Sequence, residues 1–332
     1  MARPTVSRLV ALLLLVGCEH TTPFELRDPE PIGPVSAQLP LRLTFNPSED
    51  RDPAAGSDVI VFSRLEPGRP DLDRCLAFLP ARGGTLLRSV CAGGPHADGV
   101  TDGWLRPALS AGGQIAYVRE RATFPAIAPT SRHLVVAPVA APDSVTDQVL
   151  VLFQAADGRR ITALRELQWA GSDLRFVAGQ DSFPRVAGVF DTLFTPVALA
   201  ELTPAVGVLR EIPGTSGAFA HASAPDGGIW FVTIGAPSTL MHVAPDGSGA
   251  RVVGTFSRPV VALTAVDGQP VAVMANTDSA LVEWLDAETG AWVGVTSIAG
   301  EAGRIVSVPG SRRLVLELRR GTNTDLWLLE LP

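Results

Sequence analysis

The chain has 332 residues, enough for one large all-β domain or two ordinary ones. Hydrophobic residues make up 46% and charged residues 18%, which supports a large core and argues against disorder beyond the N-terminus. A formal net charge of −7 without a basic run excludes an ordinary nucleic-acid binder, and because all 27 basic residues are arginine, lysine Schiff-base chemistry is excluded too.

Residues 1–17 read as an export signal. Arg3 and Arg8 form a positive start, and residues 9–16 are an apolar run too short to cross a bilayer. The run ends Leu15-Val16-Gly17-Cys18, which resembles the bacterial lipobox. The resemblance implies cleavage before Cys18, acylation of its thiol and a stable membrane anchor. Glu19 follows Cys18, and by analogy with lipoproteins this leans toward the outer membrane, facing the periplasm. Residues 18–38 are Pro-rich and polar and are expected to form an extended tether. The domain proper is expected over residues 39–332.

That domain begins with an orphan strand, LPLRLTF at 39–45, and then repeats one phrase: a small or polar stretch, a Gly-containing turn and an apolar strand. The phrase reads DPAAGSDVIVF at 52–62, PALSAGGQIAYV at 107–118, LQWAGSDLRFV at 167–177, ASAPDGGIWFV at 222–232, LTAVDGQPVAV at 263–273 and IVSVPGSRRLVL at 305–316. Each copy predicts the first two strands of a four-stranded unit. The last two units recur at a spacing typical of propeller blades. Six copies predict an all-β propeller of about six four-stranded blades. The final unit, DLWLLEL at 325–331, supplies only a third strand, so residues 39–45 are expected to complete it and close the ring. Trp169, Trp230, Trp284, Trp292 and Trp327 fall in strands and read as blade core.

Cys75 and Cys91 lie equally far from Gly83 in a hairpin pattern, which predicts a disulfide in an oxidising compartment.

The copies at 107–118 and 222–232 resemble TolB-type, WD-repeat-like propeller repeats. That resemblance implies the fold over residues 39–332; scaffold proteins and enzymes share the repeat, so no activity follows from it. TolB-type proteins carry an additional N-terminal α/β domain, which is not expected within these residues, and a Tol–Pal role is not carried over.

In such a blade, the connections between second and third strands and those between blades lie on one face of the ring. The stretches 64–74, 92–105, 119–132 and 179–196 read as long loops on that face, a common place for function. Arg69, Asp71, His96, Trp104, Arg121, Phe124, Phe183, Arg185, Phe190 and Phe194 are the candidate binding residues there, an Arg and aromatic mixture suited to a protein contact. The opposing reading is that the aromatics pack down locally and the charges are simply solvated.

No G-x-S-x-G elbow or H-E-x-x-H pair occurs, so no catalytic or metal residues and no cofactor are expected. Asp98-Gly-Val-Thr-Asp102-Gly103 reads as a turn, as do Asp226-Gly227 and Asp246-Gly247. The sequence thus points to a lipid-anchored envelope propeller acting as a non-enzymatic scaffold. Its expected partner is an envelope protein or cell-wall glycan. The alternative is a propeller hydrolase, of lactonase or glycosidase type, working at the central channel with convergent Asp, Glu or His side chains.

Overall fold

The computed structural model describes residues 36, 40–47, 49–70, 72–92, 99–123, 129–145, 147–182, 185–186, 189–190, 193–235, 237–286 and 290–332. Each copy of the phrase forms the inner pair of strands of a four-stranded antiparallel sheet, and there are six such sheets. The innermost strands, in blade order, are Asp50–Ala55, Val100–Leu109, Ala163–Ala170, Ala218–Ser223, Val260–Val266 and Glu301–Ser307. Gly residues at φ of 75° (Gly113), 79° (Gly227) and 77° (Gly268) make the tight reversals into the second strands.

The ring closes as the sequence requires. In blade 6 the sheet order is Glu301–Ser307, Arg313–Arg320, Asn323–Glu330 and then Leu41–Arg42. Leu41 lies opposite Leu328 and Arg42 opposite Trp327, and Leu43 N–H extends the pairing to Leu326 O at 2.7 Å. A strand from the start of the domain therefore supplies the outer edge of its last blade, and no gap is left in the ring.

The core is divided among the interfaces between neighbouring blades. Six buried clusters form, each drawing on two adjacent blades. Between blades 1 and 2, for example, Val61, Leu76 and Phe78 meet Trp104, Ile115 and Tyr117. Alternation along each strand sends one set of side chains to each neighbour, so every blade is needed by two others. The five strand tryptophans sit at the margins of these clusters, partly buried, rather than at their centres.

Leu76 pairs with Val90, which sets Cys75 opposite Cys91; the disulfide forms across a Cα–Cα distance of 4.3 Å. It ties the outer strand of blade 1 to the sheet and contributes ~3 kcal/mol in the chain-entropy picture.

The long loops expected in blades 2 and 3 are in large part strand. Val100–Leu109 and Gln114–Thr123 are ten-residue strands, as is Asp173–Ser182, and Leu193–Thr203 runs for eleven residues. The stretch 100–103, expected as a turn, is therefore extended. Cross-strand ion pairs are the reason: Asp102 lies opposite Arg121 and accepts from the guanidinium groups of both Arg119 and Arg121. Charges that satisfy each other across a ladder need no loop to solvate them.

Candidate functional site

All six innermost strands converge on a central channel, and each carries a bulge as it nears the axis. In blades 4 and 5 one residue is extra. In blades 1, 2, 3 and 6 two residues bulge: Asp52-Pro53, Arg106-Pro107, Glu166-Leu167 and Gly303-Arg304. Asp52, Arg106 and Glu166 each adopt a left-handed conformation at φ 53°. Such strain in non-Gly residues, recurring at one equivalent position, marks a place where side chains are being re-aimed.

Arg304 occupies the bulge position held elsewhere by Pro53, Pro107 and Leu167. Its guanidinium crosses the channel from blade 6. Nη1 donates to Pro107 O at 3.3 Å and Nη2 donates to Leu167 O, so the cation ties the matching positions of blades 2 and 3. The Glu166 carboxylate stands 3.7 Å from Nε. The Arg304 side chain is only 4% exposed, and it divides the channel into two compartments.

On the side of the turns between first and second strands lies a cavity of about 330 Å³. Its walls are small: Ala55, Ala108, Ala222, Ala265, with Ser223, Thr264 and Ser307 supplying hydroxyls. Pro225, Gly268 and Pro309 form its lip, Trp169 and Gln168 one wall, and Arg304 the floor. The wall is held by main-chain contacts. Trp169 Nε1 donates to Ala108 O at 3.2 Å, and Gln168 Nε2 donates to His221 O at 2.9 Å. His221, itself buried, lies 2.7 Å from Glu166 O. A carbonyl can only accept, so Nε2 carries the proton and donates. Burial pushes the His221 pKa down to about 4 and keeps the ring neutral.

On the other side of Arg304 the channel is charged. Glu317 reaches over from the second strand of blade 6, and its Oε2 accepts from Asp52 N–H at 2.8 Å. Gly303 makes that reach possible: a Cβ there would stand 2.5 Å from Glu317 Oε1. The Glu317 carboxylate thus takes the place that a side chain at bulge position 303 would occupy, beside Asp52, Arg106 and Glu166. Burial, with the neighbouring Asp52 charge, pushes its pKa up to about 7. Burial also raises Glu166, against the pull of Arg304. Arg106 continues the array outward through Glu120 (3.2 Å), Arg132 (2.7 Å from Glu120) and Asp181 (2.6 Å from Arg132).

The candidate rim residues do not gather into one described patch. Cys18, Asp71, His96, Phe124 and Phe183 lie outside the described residues. Arg185 and Phe190 pair through their backbones in a two-stranded hairpin, and their side chains also lie outside the described set. Trp104 is 3% exposed and packs on Tyr117 with ring centroids 5.1 Å apart, so it belongs to the core and not to a binding surface. The strand extension of blade 2 turns it inward. Arg69 pairs with Asp73 at 2.8 Å, Arg121 is half exposed over Asp102, and Phe194 lies beneath the Arg165 guanidinium at 4.5 Å.

Asp52, Glu166, Arg304 and Glu317 were not singled out by sequence. The one available signal for Asp52, Glu166 and Arg304 was their alignment across the repeat, at or just ahead of the start of each phrase; Glu317, on a second strand, carries none. Among the described residues, no cluster of His, Cys, Asp and Glu has the arrangement of a metal site.

No family model matches the chain, and no curated protein matches it in sequence. Solved structures do. TolB from Acinetobacter baumannii superposes with a TM-score of 0.54 at 15% identity, over 82% of this chain and 63% of TolB, so the chain spans less than two thirds of that protein. A putative TolB from Agrobacterium tumefaciens gives 0.51 at 11% identity, over 87% of this chain and 93% of that one. The PQQ-bound form of aldose sugar dehydrogenase from Streptomyces coelicolor gives 0.51 at 13%, over 92% and 100%. At these identities the likeness is one of fold: the chain is a six-bladed β-propeller of TolB-like architecture.

Proposed function

We propose that this protein is a lipid-anchored propeller of the bacterial envelope that works as a non-enzymatic binding module, taking part of an envelope protein or cell-wall glycan into the cavity above Arg304. The observation that carries this reading is the cavity's make-up. All six blades contribute to it, yet among the described residues Arg304 is the only ionisable side chain in its lining. General acid–base chemistry needs a carboxylate, imidazole or similar group within hydrogen-bond reach of the substrate. A rigid pocket of small side chains, hydroxyls and one aromatic wall suits recognition instead. The lipobox ending at Cys18 supports an anchor, with the outer membrane facing the periplasm as its place. The Cys75–Cys91 disulfide fits an oxidising compartment.

The hydrolase reading has its own observation in favour. Asp52, Glu166 and Glu317 feel one another's charge on the far side of Arg304, and a carboxyl group with a pKa of about 7 is suited to proton transfer. Glu317, however, is occupied in accepting from Asp52 N–H.

In-cell photo-crosslinking of the full chain tests the binding reading. A benzophenone amino acid at Pro309, on the exposed lip of the cavity, is expected to capture one envelope partner that the same group at the half-exposed Arg121 does not. Capture from Arg121 alone would return the site to the looped rim. Cys18→Ser should release the protein from the membrane fraction; retention would refute the anchor.

A further inference from the structure

The floor of the cavity is a cation whose hydrogen bonds go to neutral groups. Arg304 spends two N–H donors on the neutral carbonyls of Pro107 and Leu167, and its Nε meets no acceptor. The Glu166 Oε2 at 3.7 Å is beyond hydrogen-bond distance and likewise has no donor. Among the described residues, no acidic side chain lines the cavity itself. A guanidinium facing the cavity attracts an anion, and the remaining N–H groups on its two terminal nitrogens can donate to a carboxylate. With Glu166 already 3.7 Å from Nε, a singly charged group fits better than a doubly charged phosphate, which would bring excess negative charge beside it. Around the floor, Ser223, Thr264, Ser307 and Gln168 offer hydrogen bonds to a polar body, and Trp169 offers a flat face.

Resting on the reading of this cavity as the binding site, we infer that its ligand presents a carboxylate to Arg304, borne on a small polar body such as a sugar acid or the C-terminal residue of a polypeptide. A cavity of about 330 Å³ holds one such unit and not an oligomer.

Trp169 reports on the site from within, so the test is a fluorescence titration of the full-length protein, with Trp169→Phe to identify the responding ring. Two matched pairs serve as probes: glucuronate against glucose, and acetyl-glycylglycine against its amide. Each acid differs from its neutral partner chiefly in charge, so no destabilising variant is needed. The expected result is that at least one acid binds about tenfold or more tighter than its neutral partner. The pair that shows the difference identifies the source of the carboxylate. Arg304→Lys, which keeps the charge but not the two terminal nitrogens, should weaken that binding. Equal binding of acid and neutral partner would overturn the carboxylate while leaving the cavity as a binding site. Tighter binding of inorganic phosphate, or no Trp169 response to either acid at millimolar concentration, would overturn the inference. Failure of capture at Pro309 would instead remove the binding reading beneath it.

Discussion

The two sides of Arg304 are built from the same six innermost strands and differ in kind. Toward the short turns, the strands present Ala, Ser and Thr and leave an open cavity with no acidic side chain among the described residues of its lining. Toward the looped face, the strands bulge, and Asp52, Arg106 and Glu166 turn in, with Glu317 filling the space left at Gly303. One compartment has room and little charge; the other has charge and interlocking contacts between blades. A propeller can thus separate recognition from ring closure along a single axis. Arg304 serves both: it ties blade 6 to blades 2 and 3, and it presents a cation to the cavity.

The sharpest way to break this division is to remove Arg304. Arg304→Ala leaves two carbonyls and the partly buried Glu166 without their cation, and we expect a loss of ~3–5 kcal/mol in urea denaturation. A loss near zero would mean that the guanidinium holds nothing together.

Gly303→Ala acts on the charged side alone. The new Cβ meets Glu317 at 2.5 Å and pushes its carboxylate off Asp52 N–H, at an expected cost of ~1–3 kcal/mol. Affinity in the cavity should be unchanged. If affinity fell with stability, the two compartments would not be separable.

Glu317 makes a pH prediction. Its pKa is raised from 4.5 when free to about 7 when folded, so the folded state holds the proton more tightly. The stability this brings is fully present below pH 4.5 and is lost as pH rises through about 7. Glu317→Gln keeps an acceptor for Asp52 N–H and removes the titration. We expect its stability to fall less than wild type between pH 5 and 8; parallel curves would contradict the assignment. His221 has the opposite sign. Its pKa, lowered to about 4, gives stability present above 6.5 and lost as pH falls through 4, which ring chemical shifts would follow directly.

Much of the scaffold was legible because it is local. Gly227 between a polar stretch and Ile229-Trp230-Phe231 announces a hairpin, and six such announcements fix six blades. The symmetric spacing of Cys75 and Cys91 about Gly83 likewise foretold their bridge. Strand lengths in blades 2 and 3 were harder. Arg119 and Arg121 look like loop residues until Asp102 is found across the ladder, and with that strand in place Trp104 turns inward. The channel was least legible. Arg304 reads in sequence as an ordinary charge at the start of a strand, and its partners Pro107 and Leu167 lie 197 and 137 residues away. Closure of the ring alone brings them together.

The most direct test of the division is Ser223→Trp, which fills the cavity from an exposed position without touching the charged side. Binding of the acid probes and urea stability would be measured on the same samples. The account requires that binding be lost while stability stays within ~0.5 kcal/mol of wild type. A variant that binds as wild type does would place the ligand elsewhere and contradict the cavity as the site of recognition.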